Sequence, residues 1–85
     1  MKVKVLFFAA LREQLGTSGE ELELPSDVHT VAGLRSHLMQ RGGAYQKAFG
    51  EKTLIRTAVN QDMVQPTARI KAGDEVAFFP PVTGG

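Results

Sequence analysis

The end of this 85-residue chain combines the residues most suited to chemistry, Pro80-Pro81-Val82-Thr83-Gly84-Gly85. Two consecutive prolines favour an extended backbone, so this segment should leave the preceding element as a flexible arm. The terminal glycines have no side chains, and the arm could therefore enter a narrow channel in a partner. The residues expected to insert ahead of the last glycine are Pro81, Val82, Thr83 and Gly84. We predict a folded domain over residues 1–80 and an extended tail over residues 81–85.

The reactive group that such a tail would deliver is the α-carboxylate of Gly85. A carboxylate is a poor electrophile because nucleophilic attack destroys its resonance and adds to an anion. Conversion to an acyl-adenylate supplies a leaving group, and a sulfur nucleophile would then produce a terminal thiocarboxylate. The alternative interpretation is an ordinary frayed terminus that happens to end in glycine.

Other candidate groups fit solvent-exposed or structural roles better. His29 and His37 are eight residues apart, whereas a helical metal pair needs a spacing of four, so we expect no metal site. The chain has no cysteine for a thiolate site, and Gly42-Gly43 follows the main predicted helix as a C-terminal cap instead of opening a phosphate loop. Two acidic groups are expected to form a solvated face: Glu20, Glu21 and Glu23, and Asp74 with Glu75. We therefore expect no bound cofactor and no enzyme acting alone.

Composition indicates one soluble globular domain, with 42% hydrophobic and 22% charged residues. Ten basic and nine acidic residues give a net charge of +1 without a block of like charge, which argues against nucleic-acid binding. The longest apolar run, from Val5 to Leu11, is far shorter than the roughly 20 residues that span a bilayer. We therefore expect a cytoplasmic protein that does not enter a membrane.

The elements that must position the tail follow from hydrophobic periodicity. Thr30 is a candidate N-cap for the principal helix, whose apolar stripe contains Val31, Leu34 and Leu38. Strands are predicted at residues 2–8, 20–24, 54–60, 63–64 and 75–79, and short helices at 9–15 and 44–50. One helix can cover only one face of this sheet, so the compact solution places the first and last strands side by side in the middle. The predicted fold is α+β: a β-grasp, or ubiquitin-like, mixed sheet packed on one principal helix.

Strand alternation also predicts an apolar surface on the face that the helix leaves uncovered. Val3, Val5 and Phe7 should point towards the helix. The residues predicted on the opposite face are Leu6, Phe8, Ala77 and Phe79, with Met63 beside them. Grouped aromatic side chains on an exposed sheet normally mark a protein contact, although a loop could instead fold over them.

Three stretches resemble a known family: residues 2–13 (KVKVLFFAALRE), residues 58–61 (AVNQ) and residues 73–85 (GDEVAFFPPVTGG). They are similar to the small subunits of molybdopterin synthase, the MoaD family of ubiquitin-related sulfur carriers. The resemblance covers nearly the whole chain and is least distinctive over residues 40–54.

The resemblance implies a sulfur carrier for molybdenum-cofactor biosynthesis that is not catalytic by itself. An E1-like adenylyltransferase would use ATP to adenylate Gly85, and a sulfur-transfer enzyme would convert it to the thiocarboxylate. The large synthase subunit would supply the catalytic groups, and two copies of each subunit would form the active heterotetramer. Sulfur would pass to cyclic pyranopterin monophosphate (precursor Z), and two transfers would make the dithiolene of molybdopterin.

The resemblance also implies contact positions on the large subunit. Phe8, Met63 and Phe79 match the family's apolar contact surface, and Arg12 matches a polar contact position. Three alternatives remain open: a carrier for thiamin thiazole or tRNA thiolation, a protein modifier joined through Gly85 to lysines, and an interaction domain with an inert tail.

Overall fold

The computed structural model describes residues 1–50 and 53–81. Its elements in chain order are β1 Lys2–Phe7, α1 Ala10–Leu15, β2 Gly19–Glu23, α2 Val31–Met39, α3 Gly43–Phe49, β3 Arg56–Val59, β4 Asp62–Val64 and β5 Glu75–Phe79. Each predicted element is present, with ends that differ by one or two residues. The first strand is shorter than predicted because Ala9 has a φ of 54°, which turns the chain out of the sheet before α1.

The five strands form one mixed sheet in the order β2-β1-β5-β3-β4. β1 and β5 are parallel neighbours in the centre, and the other adjacent pairs are antiparallel. The prediction of an α+β β-grasp with the first and last strands side by side is confirmed. Because β1 and β5 are parallel, their carboxyl ends lie at the same edge of the sheet.

Strand alternation divides the sheet as predicted. On β1, Val3, Val5 and Phe7 are at most 1% exposed, and on β5 Val76 and Phe78 are fully buried. Leu34 and Leu38 of α2 are also fully buried and belong to the same core. Removing this apolar surface from water is the main favourable term in folding, at roughly 25 cal/mol per Å².

The short helix α3 contributes more to the core than its length suggests. Phe49 is fully buried, and its ring centroid lies 5.1 Å from that of Phe78 in an edge-to-face arrangement. Arg35 of α2 fixes the end of this helix, since its guanidinium donates hydrogen bonds to the carbonyls of Phe49, Gly50 and Thr53. The bond to Phe49 satisfies a carbonyl that the end of α3 leaves without an intrahelical partner, and the other two hold the chain that follows the helix.

The start of α2 is confirmed, whereas the interpretation of the following glycines is wrong. The Thr30 hydroxyl accepts a hydrogen bond of 3.0 Å from the backbone N–H of Gly33, as expected of an N-cap. At the other end α2 stops at Met39, and Gly42-Gly43 opens α3 instead of capping α2. The two glycines have φ values of 75° and 55°, which a tight reversal between helices requires and other residues rarely adopt.

A hydrogen-bonded clamp holds the amino end of β5. The turn between β3 and β4 has positive φ at Asn60 and Gln61. The Asn60 side chain donates to the Asp74 carboxylate and accepts from the N–H of Glu75, each at 3.0 Å. The other Asp74 oxygen accepts from the backbone N–H of Lys71 at 2.9 Å. This clamp lies at the end of β5 opposite to the tail.

Candidate functional site: the outer sheet face and the base of the tail

Two rows of side chains lie on the sheet face turned away from α2, towards the carboxyl ends of β1 and β5, and we call these two rows the outer sheet face. Cross-strand register aligns the first row, and the second lies nearer the carboxyl end of β5. The first row consists of Leu6, Ala77, Ala58 and Met63. The second consists of Phe8, Phe79 and Arg56. Six of these seven side chains are apolar. A further row on the sheet face turned away from α2, at the amino end of β5, is charged and contains Glu21, Lys4 and Glu75.

The outer sheet face leaves large apolar side chains in solvent. Phe8 is 46% exposed and Met63 is 55% exposed, while Leu6, Ala77 and Phe79 are half-buried. Within the described residues no loop covers Phe8 and Met63, so the alternative of a covering loop is wrong there. A contiguous apolar patch of this kind is typical of a surface that binds another protein.

The base of the tail lies beside this face. Phe79 ends β5, and Pro80 and Pro81 follow it as half-buried residues. The structure therefore describes residues 1–50 and 53–80 of the predicted domain and Pro81, the first residue of the predicted tail. The remaining predicted tail positions, Val82, Thr83, Gly84 and Gly85, lie outside the described residues.

Arg12 lies at the same edge of the sheet as the base of the tail. It is an exposed residue of α1, which follows the carboxyl end of β1 and packs against α3 and β5. The parallel pairing of β1 and β5 therefore brings Phe8 and α1 with Arg12, which are close to each other in sequence, beside the distant chain leaving Phe79.

Two residues of this region do not belong to the predicted contact set. Leu54 is 77% exposed, and Arg56 is exposed directly opposite Phe79 in the sheet register. In the strand predicted at residues 54–60, Ile55, Thr57 and Val59 share one side, so alternation places Leu54 and Arg56 on the other. The alternation is visible in the sequence, but the predicted contact set was taken from the first and last strands, Arg12 and Met63, and did not include these two residues.

Most of the predicted solvated carboxylates have structural partners. Glu23 lies 2.9 Å from the N-terminal ammonium group, whose hydrogen bond lowers the pKa of Glu23. Glu20 forms an ion pair with Arg41, and this hydrogen bond raises the pKa of the guanidinium. The expectation of a solvated face is wrong for Asp74, which is 5% exposed inside the clamp.

The histidines are far from the outer sheet face in sequence and structure. His29 is exposed in the loop before α2, and His37 is half-buried within that helix. Among residues 1–50 and 53–81, no three His, Cys, Asp or Glu side chains form a group able to hold a metal ion. In the same part of the chain, no helix has the length and apolar character needed to cross a bilayer.

A mixed five-stranded sheet wrapped around one main helix, with the chain leaving the central strand at its carboxyl end, defines a ubiquitin-like β-grasp protein. The ThiS family model matches residues 5–85. The chain is 45% identical over 83 residues to the molybdopterin synthase sulfur carrier subunit of Escherichia coli, covering 98% of this chain and 99% of that protein.

The chain is also similar to solved structures in both fold and sequence. A putative molybdopterin converting factor subunit 1 from Pyrococcus furiosus superposes with a TM-score of 0.79 at 34% identity, covering 96% of this chain and 99% of that one. SAMP1 from Haloferax volcanii has a TM-score of 0.79 at 28% identity, with complete coverage of both chains. The chain belongs to the ThiS family.

Proposed function

We propose that this chain is the sulfur carrier subunit of a molybdopterin synthase. The observation that carries the proposal is the 45% identity to a protein of that name over nearly the full length of both chains. The outer sheet face supports it, since a carrier must dock on other proteins to deliver its cargo. Its position beside the base of the tail supports it further, because docking there would direct the tail into the partner.

The proposed cargo is one sulfur atom on the carboxyl group of Gly85, where the family match ends. The carboxylate attacks the α-phosphorus of ATP on an E1-like adenylyltransferase, forming the acyl-adenylate and releasing pyrophosphate. A sulfide-level sulfur supplied by a sulfur-transfer enzyme then attacks the acyl carbon, the bond from that carbon to AMP breaks, and the thiocarboxylate is left on Gly85. If the donor is a persulfide, a thiol reductant must also cleave its S–S bond. ATP is consumed by the activating partner, so the carrier itself needs no bound cofactor.

Delivery of the sulfur takes place on the large synthase subunit. The thiocarboxylate sulfur bonds to a side-chain carbon of cyclic pyranopterin monophosphate as a carbon–oxygen bond at that carbon breaks, and water then cleaves the bond between that sulfur and the Gly85 carbonyl carbon. The sulfur stays on the pterin and the carboxylate of Gly85 is regenerated. Two such transfers make the dithiolene, which fits a heterotetramer with two copies of each subunit. The catalytic groups belong to the large subunit, and the carrier supplies the sulfur and the docking surface.

Reconstitution tests this proposal. The purified chain is converted to its thiocarboxylate, verified by intact mass, and mixed with the large subunit and cyclic pyranopterin monophosphate. We expect molybdopterin to form with the thiocarboxylate and not with the unmodified chain or with a chain lacking Gly85. Formation from the unmodified chain without a sulfur source would contradict the proposal.

Each alternative function predicts a different experimental result. A carrier for thiamin thiazole or tRNA thiolation would form the thiocarboxylate but give no molybdopterin with the large subunit. A protein modifier would form adducts with cellular proteins through Gly85 that resist thiol reagents. An interaction domain would keep its binding function after deletion of Gly85, because its tail has no chemical role.

A further inference from the structure

A cationic side chain lies on the outer sheet face beside the base of the tail. Arg56 is the cross-strand partner of Phe79, and Phe79 directly precedes Pro80. The Arg56 side chain is exposed and makes no hydrogen bond, ion pair or ring contact within the described residues. By contrast, Arg35 and Arg41 are both held by partners in the fold.

The surroundings of Arg56 on this face are apolar. Phe79 lies across from it, Ala58 follows two residues later on the same face, and Leu54 precedes it by two residues at 77% exposure. The two rows of the outer sheet face contain no acidic side chain. Among the described residues, the acidic side chains Glu21 and Glu75 of this sheet face lie in the row at the amino end of β5, so neither row around Arg56 gives its guanidinium a counter-charge.

We propose that Arg56 is an electrostatic recognition residue, and that the protein receiving the tail presents a carboxylate opposite it. This inference rests on the proposed function. A partner that accepts the tail must approach the edge where β5 ends, and this brings its surface over Phe79 and Arg56. Covering a guanidinium without a counter-charge is costly, whereas a carboxylate can accept two parallel N–H···O bonds from it.

The expected contribution of Arg56 is to partner choice and association. Apolar contacts through Phe79 and Met63 provide buried area but discriminate poorly between apolar surfaces. A single charge among them penalises any partner with a basic or purely apolar group at that position. It also accelerates encounter with an acidic surface in a salt-dependent manner.

The test measures binding of the purified full chain to the large subunit of molybdopterin synthase from the same organism, at several salt concentrations. We expect Arg56→Glu to weaken the affinity by about tenfold or more and to reduce the salt dependence of the association rate. Arg56→Gln should show a smaller loss of affinity. If circular dichroism shows that Arg56→Glu does not fold, Arg56→Gln takes its place in the test.

The matched control is Arg69→Glu, which changes the net charge equally. Arg69 is exposed and lies outside the outer sheet face, in a bridge with Thr30 near the start of α2. Its binding should stay within about twofold of the unmodified chain, as expected of an ordinary surface position. Replacing the opposing large-subunit carboxylate with arginine should restore binding to Arg56→Glu.

Two results would overturn the inference alone. One is unchanged affinity in both Arg56 variants, and the other is an equal loss in Arg56→Glu and Arg69→Glu, which would reflect net charge only. Failure of the unmodified chain to bind the large subunit would overturn the proposed function together with the inference. When the unmodified chain binds normally, a negative result with the Arg56 variants therefore counts against the role of Arg56 and not against the proposed function.

Discussion

At the scale of single residues, successive positions of β5 have different roles. Val76 and Phe78 are fully buried against the helices, whereas Ala77 and Phe79 are half-buried on the outer sheet face. Strand alternation alone causes this division, because neighbouring side chains point to opposite faces. A substitution should therefore affect folding at one position and partner binding at the next.

We expect Phe79→Asp to retain the fold and lose most of its affinity for the large synthase subunit. The change would place an ionised carboxylate in a surface that becomes dry on binding, and burying an unpaired charge is costly. Titration calorimetry measures the affinity, and circular dichroism measures the fold. The comparison variant is Val76→Asp, which puts the same charge in the core and should not fold. Normal partner binding by Phe79→Asp would show that the outer sheet face is not the docking surface.

Residue-scale reasoning predicted the two faces of β1 and β5 correctly because alternation depends only on sequence position. It did not identify Arg56 as a candidate, since a lone arginine in a strand is usually a solvated side chain. Its significance depends on the register that places it opposite Phe79, and register is a property of the assembled sheet.

At the scale of elements, β5 is held by its neighbouring strands β1 and β3 and by the clamp. The parallel partner β1 fixes the position of β5 along the sheet, and the clamp of Asn60 and Asp74 fixes its amino end. Asp74 is buried, so its carboxylate has little access to water and depends on the hydrogen bonds that it accepts. The clamp is therefore expected to contribute to stability without contacting the tail.

Asp74→Ala should lower the free energy of unfolding by about 1–3 kcal/mol, because it leaves the Asn60 amide and the Lys71 N–H without their acceptor. Urea unfolding measures the change. Glu75→Ala is the control, since its side chain makes no described hydrogen bond, and it should remain within about 0.5 kcal/mol of the unmodified chain. Equal stability of Asp74→Ala and the unmodified chain would show that the clamp contributes nothing measurable.

The elements themselves were predictable from the sequence, whereas two of their connections were not. The stripe of Val31, Leu34 and Leu38 and the N-cap at Thr30 gave the correct start of α2. Gly42-Gly43 fits either a helix C-cap or a reversal between helices, since both need positive φ. The choice depends on where α3 packs. Similarly, the burial of Asp74 depends on Asn60, a partner 14 residues away in the chain.

At the scale of the whole molecule, the stabilising clamp and the base of the tail are far from each other. The clamp lies at one end of β5, and the outer sheet face, Arg12 and the base of the tail lie at the other. The arrangement follows from the parallel pairing of β1 with β5, which brings both carboxyl ends to one edge. A partner bound at that edge contacts the domain and the chain leaving it at the same time.

The most direct test of whether the Gly85 carboxyl group carries the sulfur uses a chain in which semisynthesis replaces this carboxylate with a carboxamide. The measurement is molybdopterin formation. The reaction contains the activating enzyme, ATP, a sulfur donor, the large subunit and cyclic pyranopterin monophosphate. The carboxamide chain should still bind the large subunit through the outer sheet face. We predict that it forms no molybdopterin, while the same semisynthetic chain with a free carboxylate does. Undiminished molybdopterin formation by the carboxamide chain would show that the sulfur is not carried on the Gly85 carboxyl group.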